Sequence, residues 1–125
     1  MSFFSRWRRA APKAPAIPAD WHELRITTAQ PPPDQAAVDV LVDALKSALT
    51  DPQAGVFDEY EELGGDGQIC VYLLAPDADR LLDIITPVLH RHAWTAGSEI
   101  YRVYGNAMDP EAVEKISTFE EKRTD

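Results

Sequence analysis

Along residues His22 to Ala29, Leu24, Ile26 and Thr28 alternate with Arg25 and Thr27. An apolar period of two predicts a strand that turns one face to a core. Pro31-Pro32-Pro33 stops it. The period then changes: Val38, Leu41, Val42, Leu45, Ala48 and Leu49 recur at steps of three and four. Those steps gather them on one side of an amphipathic helix of about four turns. Asp34 stands where an N-cap belongs, and Asp51-Pro52 ends the helix because a residue before proline avoids the helical region.

Val56 to Leu63 reads as a second strand, although its alternation is imperfect. Gln68 to Ala75, with Ile69, Val71, Tyr72, Leu73 and Leu74, reads as a third. Gly64-Gly65-Asp66-Gly67 between them is a turn sequence that tolerates positive φ, so the pair predicts a hairpin. Pro76-Asp77 opens a second helix, with Asp77 as cap and Leu81, Leu82, Ile85, Val88 and Leu89 on the buried side. Pro87 predicts a kink, since its ring clashes with the carbonyl four residues back and it lacks an N–H. Gly97 to Tyr104 is a fourth strand, closed by Gly105-Asn106. Beyond it, Asp109-Pro110 suits the start of a short helix, while Ile116, Thr118 and Phe119 suit a last strand, the reading preferred here.

The element order is therefore β-α-β-β-α-β, with an extra C-terminal strand or short helix. This is the split βαβ order of ferredoxin-like α+β domains. One antiparallel sheet would carry both helices on one face and leave the other for solvent, a partner or a second copy. Cys70, Tyr72 and Leu74 point away from Ile69, Val71 and Leu73, so both sides of the third strand are apolar and both call for cover. Residues 1–20 stand apart as a flexible, basic arm, stiffened by the Pro and Ala residues from Ala10 to Ala19. Residues 21–125 form a single domain.

A chain of 125 residues suits one domain with a core that needs no staple. Charge is distributed unevenly. The net charge is −9, yet Arg6, Arg8, Arg9 and Lys13 open the chain with no acid among them. Between Lys46 and Arg80 there is no Lys or Arg, while Asp51, Asp58, Glu59, Glu61, Glu62, Asp66, Asp77 and Asp79 all fall there. Such a balance opposes nucleic-acid binding, which needs cations to displace counterions from phosphates, and favours basic partners. Cys70 is the only cysteine, which excludes an internal disulfide and suits a reducing compartment. No apolar run reaches the roughly 20 residues of a membrane span, and no signal-peptide h-region follows the first arginines. The expected location is the cytoplasm.

Gly65-Asp66-Gly67, Tyr72, Pro76-Asp77-Ala78-Asp79-Arg80-Leu81, Pro87-Val88-Leu89 and Arg102-Val103-Tyr104-Gly105 together resemble a group of small uncharacterised bacterial α+β, ferredoxin-like proteins. The resemblance spans roughly residues 55–105 and falls on turns, a cap and a kink. It implies a fold and a bacterial origin and carries no activity.

His90 and His92 diverge at a helix end, where cations suit the dipole better than a metal does. Cys70 lies in an apolar and acidic setting, which disfavours a thiolate, so core packing is its expected role. Gly64 to Gln68 lacks the Lys and Ser/Thr of a phosphate loop, and no nucleophile elbow occurs. The acids do not follow the spacing of a calcium loop. Tyr72 and Tyr104 on an open sheet face could stack RNA bases, but the basic and aromatic run that accompanies such platforms is missing. Phe3, Phe4, Trp7 and Arg6 resemble a short membrane-interface anchor, one or two turns long. No catalytic residue, metal ligand or cofactor site is assigned.

What remains is the acidic run. Asp58, Glu59, Glu61, Glu62 and Asp66, with Tyr60 as aromatic anchor, are the candidate partner-binding residues. The plainer reading is a charged edge strand that resists aggregation. The expected function is a non-catalytic protein-binding module, in its most concrete form an immunity or antitoxin-like inhibitor of a basic toxin. The alternatives are a self-associating homodimer or small-ligand sensor using the open sheet face, and a small enzyme of unknown reaction.

Overall fold

The computed structural model describes residues 18, 20–105 and 109–119. Five strands, β1 (His22–Thr27), β2 (Val56–Leu63), β3 (Gln68–Ala75), β4 (Glu99–Tyr104) and β5 (Val113–Thr118), form one sheet in the order β2-β3-β1-β4-β5. Every neighbouring pair is antiparallel. Two helices, α1 (Gln35–Ala48) and α2 (Ala78–His90), complete an α+β fold. β1 and β2 flank β3 and so run parallel to each other, joined by α1; β3 and β4 flank β1 and are joined by α2 in the same way.

Local sequence accounts for the helix starts. Asp34 Oδ1 accepts the Ala37 N–H at 2.8 Å, and Asp77 Oδ1 accepts the N–H groups of Asp79 and Arg80 at 3.0 and 3.3 Å. Both acids satisfy donors that the first helical turn leaves open. α2 runs through Pro87 to His90, with the proline on its exposed side. The hairpin turn is a short 3₁₀ segment, Gly64–Asp66, closed by Gly67 at φ 80°. The imperfect alternation of β2 has a local cause: a bulge at Asp58 shifts the register between Phe57 and Glu59. The C-terminal alternative resolves to a strand. Asp109 and Pro110 make a turn and no helix, with Asp109 accepting the Glu111 N–H.

One face of the sheet holds the core. Leu24, Ile26, Ile69, Val71, Leu73 and Ile100 meet Val38, Leu41 and Leu45 of α1 and Leu81, Ile85, Val88 and Leu89 of α2. Phe119, just past β5, joins them and tilts against His90 at 4.8 Å between ring centres. Among the described residues, no helix is long and apolar enough to cross a membrane.

Candidate functional site

The face of the sheet opposite the helices carries the unusual chemistry. Strand alternation places Glu23, Arg25 and Thr27 there from β1, because Leu24 and Ile26 are committed to the core. Register then adds Cys70, Tyr72 and Leu74 from β3, Glu59 and Glu61 from β2, Glu99, Tyr101 and Val103 from β4, and Glu114 and Ile116 from β5.

Arg25 is the centre of this face. Its side chain is 1% exposed. Nη2 donates to Glu114 Oε2 at 2.7 Å, and Nε lies 3.3 Å from Glu23 Oε1, an ion-pair distance. The guanidinium also stands 5.3 Å from the Tyr101 ring centre, in cation–π range. Tyr101 donates to Glu99 at 2.8 Å, and that bond, with burial second, raises the phenol's pKa above its ordinary value. Tyr72 donates to Glu61 across the β2–β3 pair. Cys70 accepts a 3.6 Å contact from the Thr27 hydroxyl, and burial pushes its thiol pKa up, which disfavours the thiolate.

The sequence-predicted residues do not form one surface. Glu59 and Glu61 stand on the charged face beside Tyr72 and Cys70. Tyr60 and Glu62 point to the helix side, where the Tyr60 hydroxyl accepts from Gln35 at 3.1 Å. Those two line a shallow cleft of about 230 Å³ with Pro31, Pro32, Gln35 and Ile69. That volume is below the usual size of a small-molecule site. Asp58 lies in the bulge and Asp66 in the exposed turn.

Tyr104 is not on the same face as Tyr72, as base stacking would need. Its parity is that of Arg102, and its hydroxyl donates to Asp79 of α2 at 2.6 Å. That bond, reinforced by Arg102 Nη1 at 2.9 Å, lowers the Asp79 pKa. His22 accepts the Ala78 N–H at 3.0 Å and meets Tyr104 edge to face, so this group ties β1, β4 and the start of α2 together. The histidines at the other end of α2 do not converge on a metal. His90 packs on Phe119, and burial, with Arg91 second, lowers the His92 pKa. Among the described residues, no three His, Cys, Asp or Glu side chains are grouped to hold a metal ion. Phe3, Phe4, Arg6 and Trp7 of the expected anchor lie outside the described residues.

Reading the sequence missed the Glu23–Arg25–Glu114 group. The signal in β1 was present, since two charges and a threonine share one parity. Glu114 could not be joined to them until the last segment was known to be a strand beside β4.

Neither a protein-family model, nor a curated protein, nor a solved structure matches the chain.

Proposed function

We propose that the protein is a non-catalytic binding module whose acidic sheet face and β2 edge receive a basic partner protein. An immunity or antitoxin-like inhibitor of a basic toxin is its concrete form, acting in the cytoplasm, where a lone buried Cys70 stays reduced. The observation that carries the reading is the grouping of Glu59 and Glu61 of β2, an edge strand among the described residues, beside Tyr72 of β3, within a stretch that has no Lys or Arg between residues 46 and 80. Acids and a tyrosine on one face suit the arginines and flat apolar groups of a basic surface. Glu62, Asp66 and Tyr60 flank the same edge from its helix side. The fold is read as ferredoxin-like, of the kind suggested by the bacterial resemblance over residues 55–105. The order β2-β3-β1-β4 supports this, with β5 as an addition.

The test is association kinetics. A basic protein recovered with the full chain at low salt is purified and mixed with the wild type and with Glu59→Lys/Glu61→Lys. Association slowed about tenfold or more by the double reversal, with a steep salt dependence, supports the reading. Equal rates for both chains at low salt refute it.

A second reading has its own observation. Cys70, Tyr72 and Leu74 of β3, with Val103 of β4, give the face away from the helices apolar side chains that a second copy or a small ligand could use. Sedimentation showing a monomer at high concentration removes the dimer form of it.

A further inference from the structure

We infer that the cleft between the start of α1 and the β2–β3 hairpin is a socket for one arginine side chain of a basic protein. The inference rests on the binding-module reading for the source of that arginine. The socket itself is built from residues other than those of the acidic sheet face.

The first observation is shape. The floor is Val38 of α1 and Ile69 of β3, each 2% exposed, and the walls are Pro31, Pro32 and Tyr60. The chain leading to the prolines is pinned to β3. Thr28 N–H donates to the Ile69 carbonyl at 3.0 Å, the Thr28 hydroxyl accepts the Ile69 N–H at 3.0 Å, and Gln68 Nε2 donates to the Ala29 carbonyl at 2.8 Å. The prolines that follow have a fixed φ. The hairpin turn comes up against them: a Cβ added to Gly67 would lie 3.2 Å from the Pro31 Cβ. Gln35 Nε2 donates to the Tyr60 hydroxyl at 3.1 Å and so ties that wall to α1. At about 230 Å³ the cleft is smaller than the roughly 300 Å³ at which sites for whole small molecules begin, and it suits the end of a single side chain. Walls already in place spare an occupant the cost of ordering them.

The second is chemistry. The polar groups at the rim are acceptors. Glu62 is exposed there and has no hydrogen-bond or ion-pair partner among the described residues. Asp34 spends Oδ1 on the Ala37 N–H and keeps its second oxygen. Gln35 uses its amide nitrogen on Tyr60 and Asp39, which leaves the amide oxygen as an acceptor. No Lys, Arg or His lines the cleft. The amino end of a helix favours an anion, but Asp34 already meets that end of α1 with a carboxylate. An occupant must therefore bring donors and positive charge, with a flat or apolar part for the rings below. A guanidinium carries N–H donors and no acceptor, and its planar face stacks on aromatic rings. An ammonium is a strongly hydrated point charge and leaves the ring contacts unused. Arginine is also enriched among the residues that anchor protein interfaces by filling a pocket.

The third is place. Tyr60 and Glu62 alternate along β2 with Glu59 and Glu61, so a protein that approaches this edge strand meets the cleft on its helix side. Long-range charge acts on association, whereas a desolvated anchor acts on dissociation. The socket would set how long a partner stays once the acidic stretch has drawn it in.

The test titrates N-acetyl-arginine methylamide into the isotope-labelled full chain, with the citrulline and lysine analogues beside it. Citrulline keeps the shape of arginine and loses its charge. The expected result is a saturable shift of the amides of Gln35, Val38, Tyr60 and Ile69, with Kd on the order of 10 mM. The citrulline analogue should bind about tenfold more weakly and the lysine analogue about threefold more weakly. Glu62→Gln, a change in an exposed side chain, should weaken arginine binding about fivefold and leave the rest of the spectrum as it was. Shifts that do not saturate, shifts centred elsewhere, or equal binding of citrulline overturn the inference. In a second arm, the basic protein of the association experiment is mixed with Glu62→Gln. Dissociation about fivefold faster at an unchanged association rate is expected, and unchanged dissociation overturns the inference. Failure of the two ideas is separable. Arginine seated in the cleft of a chain that retains no basic protein leaves the guanidinium site standing and sinks the partner reading. A partner slowed by Glu59→Lys/Glu61→Lys, on a chain whose cleft ignores arginine, does the reverse.

Discussion

Gly55→Ala is the substitution by which the packing of this fold can be tested most severely. Gly55 is buried just before β2, at φ 154°, a backbone setting that side chains rarely adopt. A Cβ placed there falls 2.7 Å from Leu81 Cδ1 and 3.3 Å from both the Ala75 Cβ and the Leu74 carbonyl oxygen. Carbon atoms prefer about 3.5–4.0 Å, so Leu81 must retreat by about 1 Å. Leu81 is 0% exposed in the first turn of α2, so its retreat must displace packed neighbours. The backbone term is about 1–2 kcal/mol, and overpacking adds about 1–3 kcal/mol. A stiffer unfolded chain returns about 0.5 kcal/mol. The net expectation is a loss of about 2–4 kcal/mol, which at about 4 °C per kcal/mol for a domain of this size lowers Tm by about 8–16 °C. Urea unfolding of the full chain, followed by circular dichroism, measures it. Leu81→Ala supplies the internal control. Alone it should cost about 2–5 kcal/mol, but on the Gly55→Ala background it should cost about 1–2 kcal/mol less, because the clash has gone. A Gly55→Ala chain within about 0.5 kcal/mol of wild type, or strict additivity of the two changes, would show that Gly55 does not pass beneath α2 as described.

Three other expectations follow from the same coordinates. Arg25→Met removes a buried cation held by Glu114 and facing Glu23, and should destabilise by about 3 kcal/mol in urea; a loss below about 0.5 kcal/mol would mean that the guanidinium is solvated. Cys70 has a folded pKa above its unfolded value, so its contribution to stability is complete below about pH 8.5 and is lost as pH rises through the folded pKa. Tm should therefore fall more steeply for the wild type than for Cys70→Ser between about pH 8 and about pH 10, and parallel profiles would remove the burial argument. Asp77→Ala should cost about 1–2 kcal/mol and Asp34→Ala about 1 kcal/mol, because Asp77 accepts two N–H groups and Asp34 one; chemical denaturation ranks them, and the reverse order would contradict the capping geometry.

Much of this architecture is local in origin and so could be read along the chain. The helix starts follow from Asp34 and Asp77, whose side chains cap within three residues. The helix faces follow from the three- and four-step recurrence of Val38, Leu41 and Leu45 and of Leu81, Ile85 and Leu89. The hairpin follows from a glycine-rich turn between two β-branched or aromatic runs. Each of these depends on neighbours a few positions away, where steric and hydrogen-bonding preferences act without help from the rest of the molecule.

The tertiary structure decided matters that depend on long sequence separations. Whether residues 113–118 became strand or helix turned on the free edge of β4, which offered hydrogen bonds that a short, weakly apolar segment could not supply for itself. The acids of β2 looked like one patch in sequence, but a period of two sends Glu59 and Glu61 to one face and Tyr60 and Glu62 to the other, with the Asp58 bulge setting the phase. Tyr72 and Tyr104 were separated for the same reason, by strand parity. Arg25 and Glu114 lie 89 positions apart and meet because β1 and β5 flank β4. Sequence determined which residues would pack against the helices and which would take the other face of the sheet; only the sheet order decided which charges face one another, because Coulombic and hydrogen-bond partners are chosen by distance in space and carry no local periodicity.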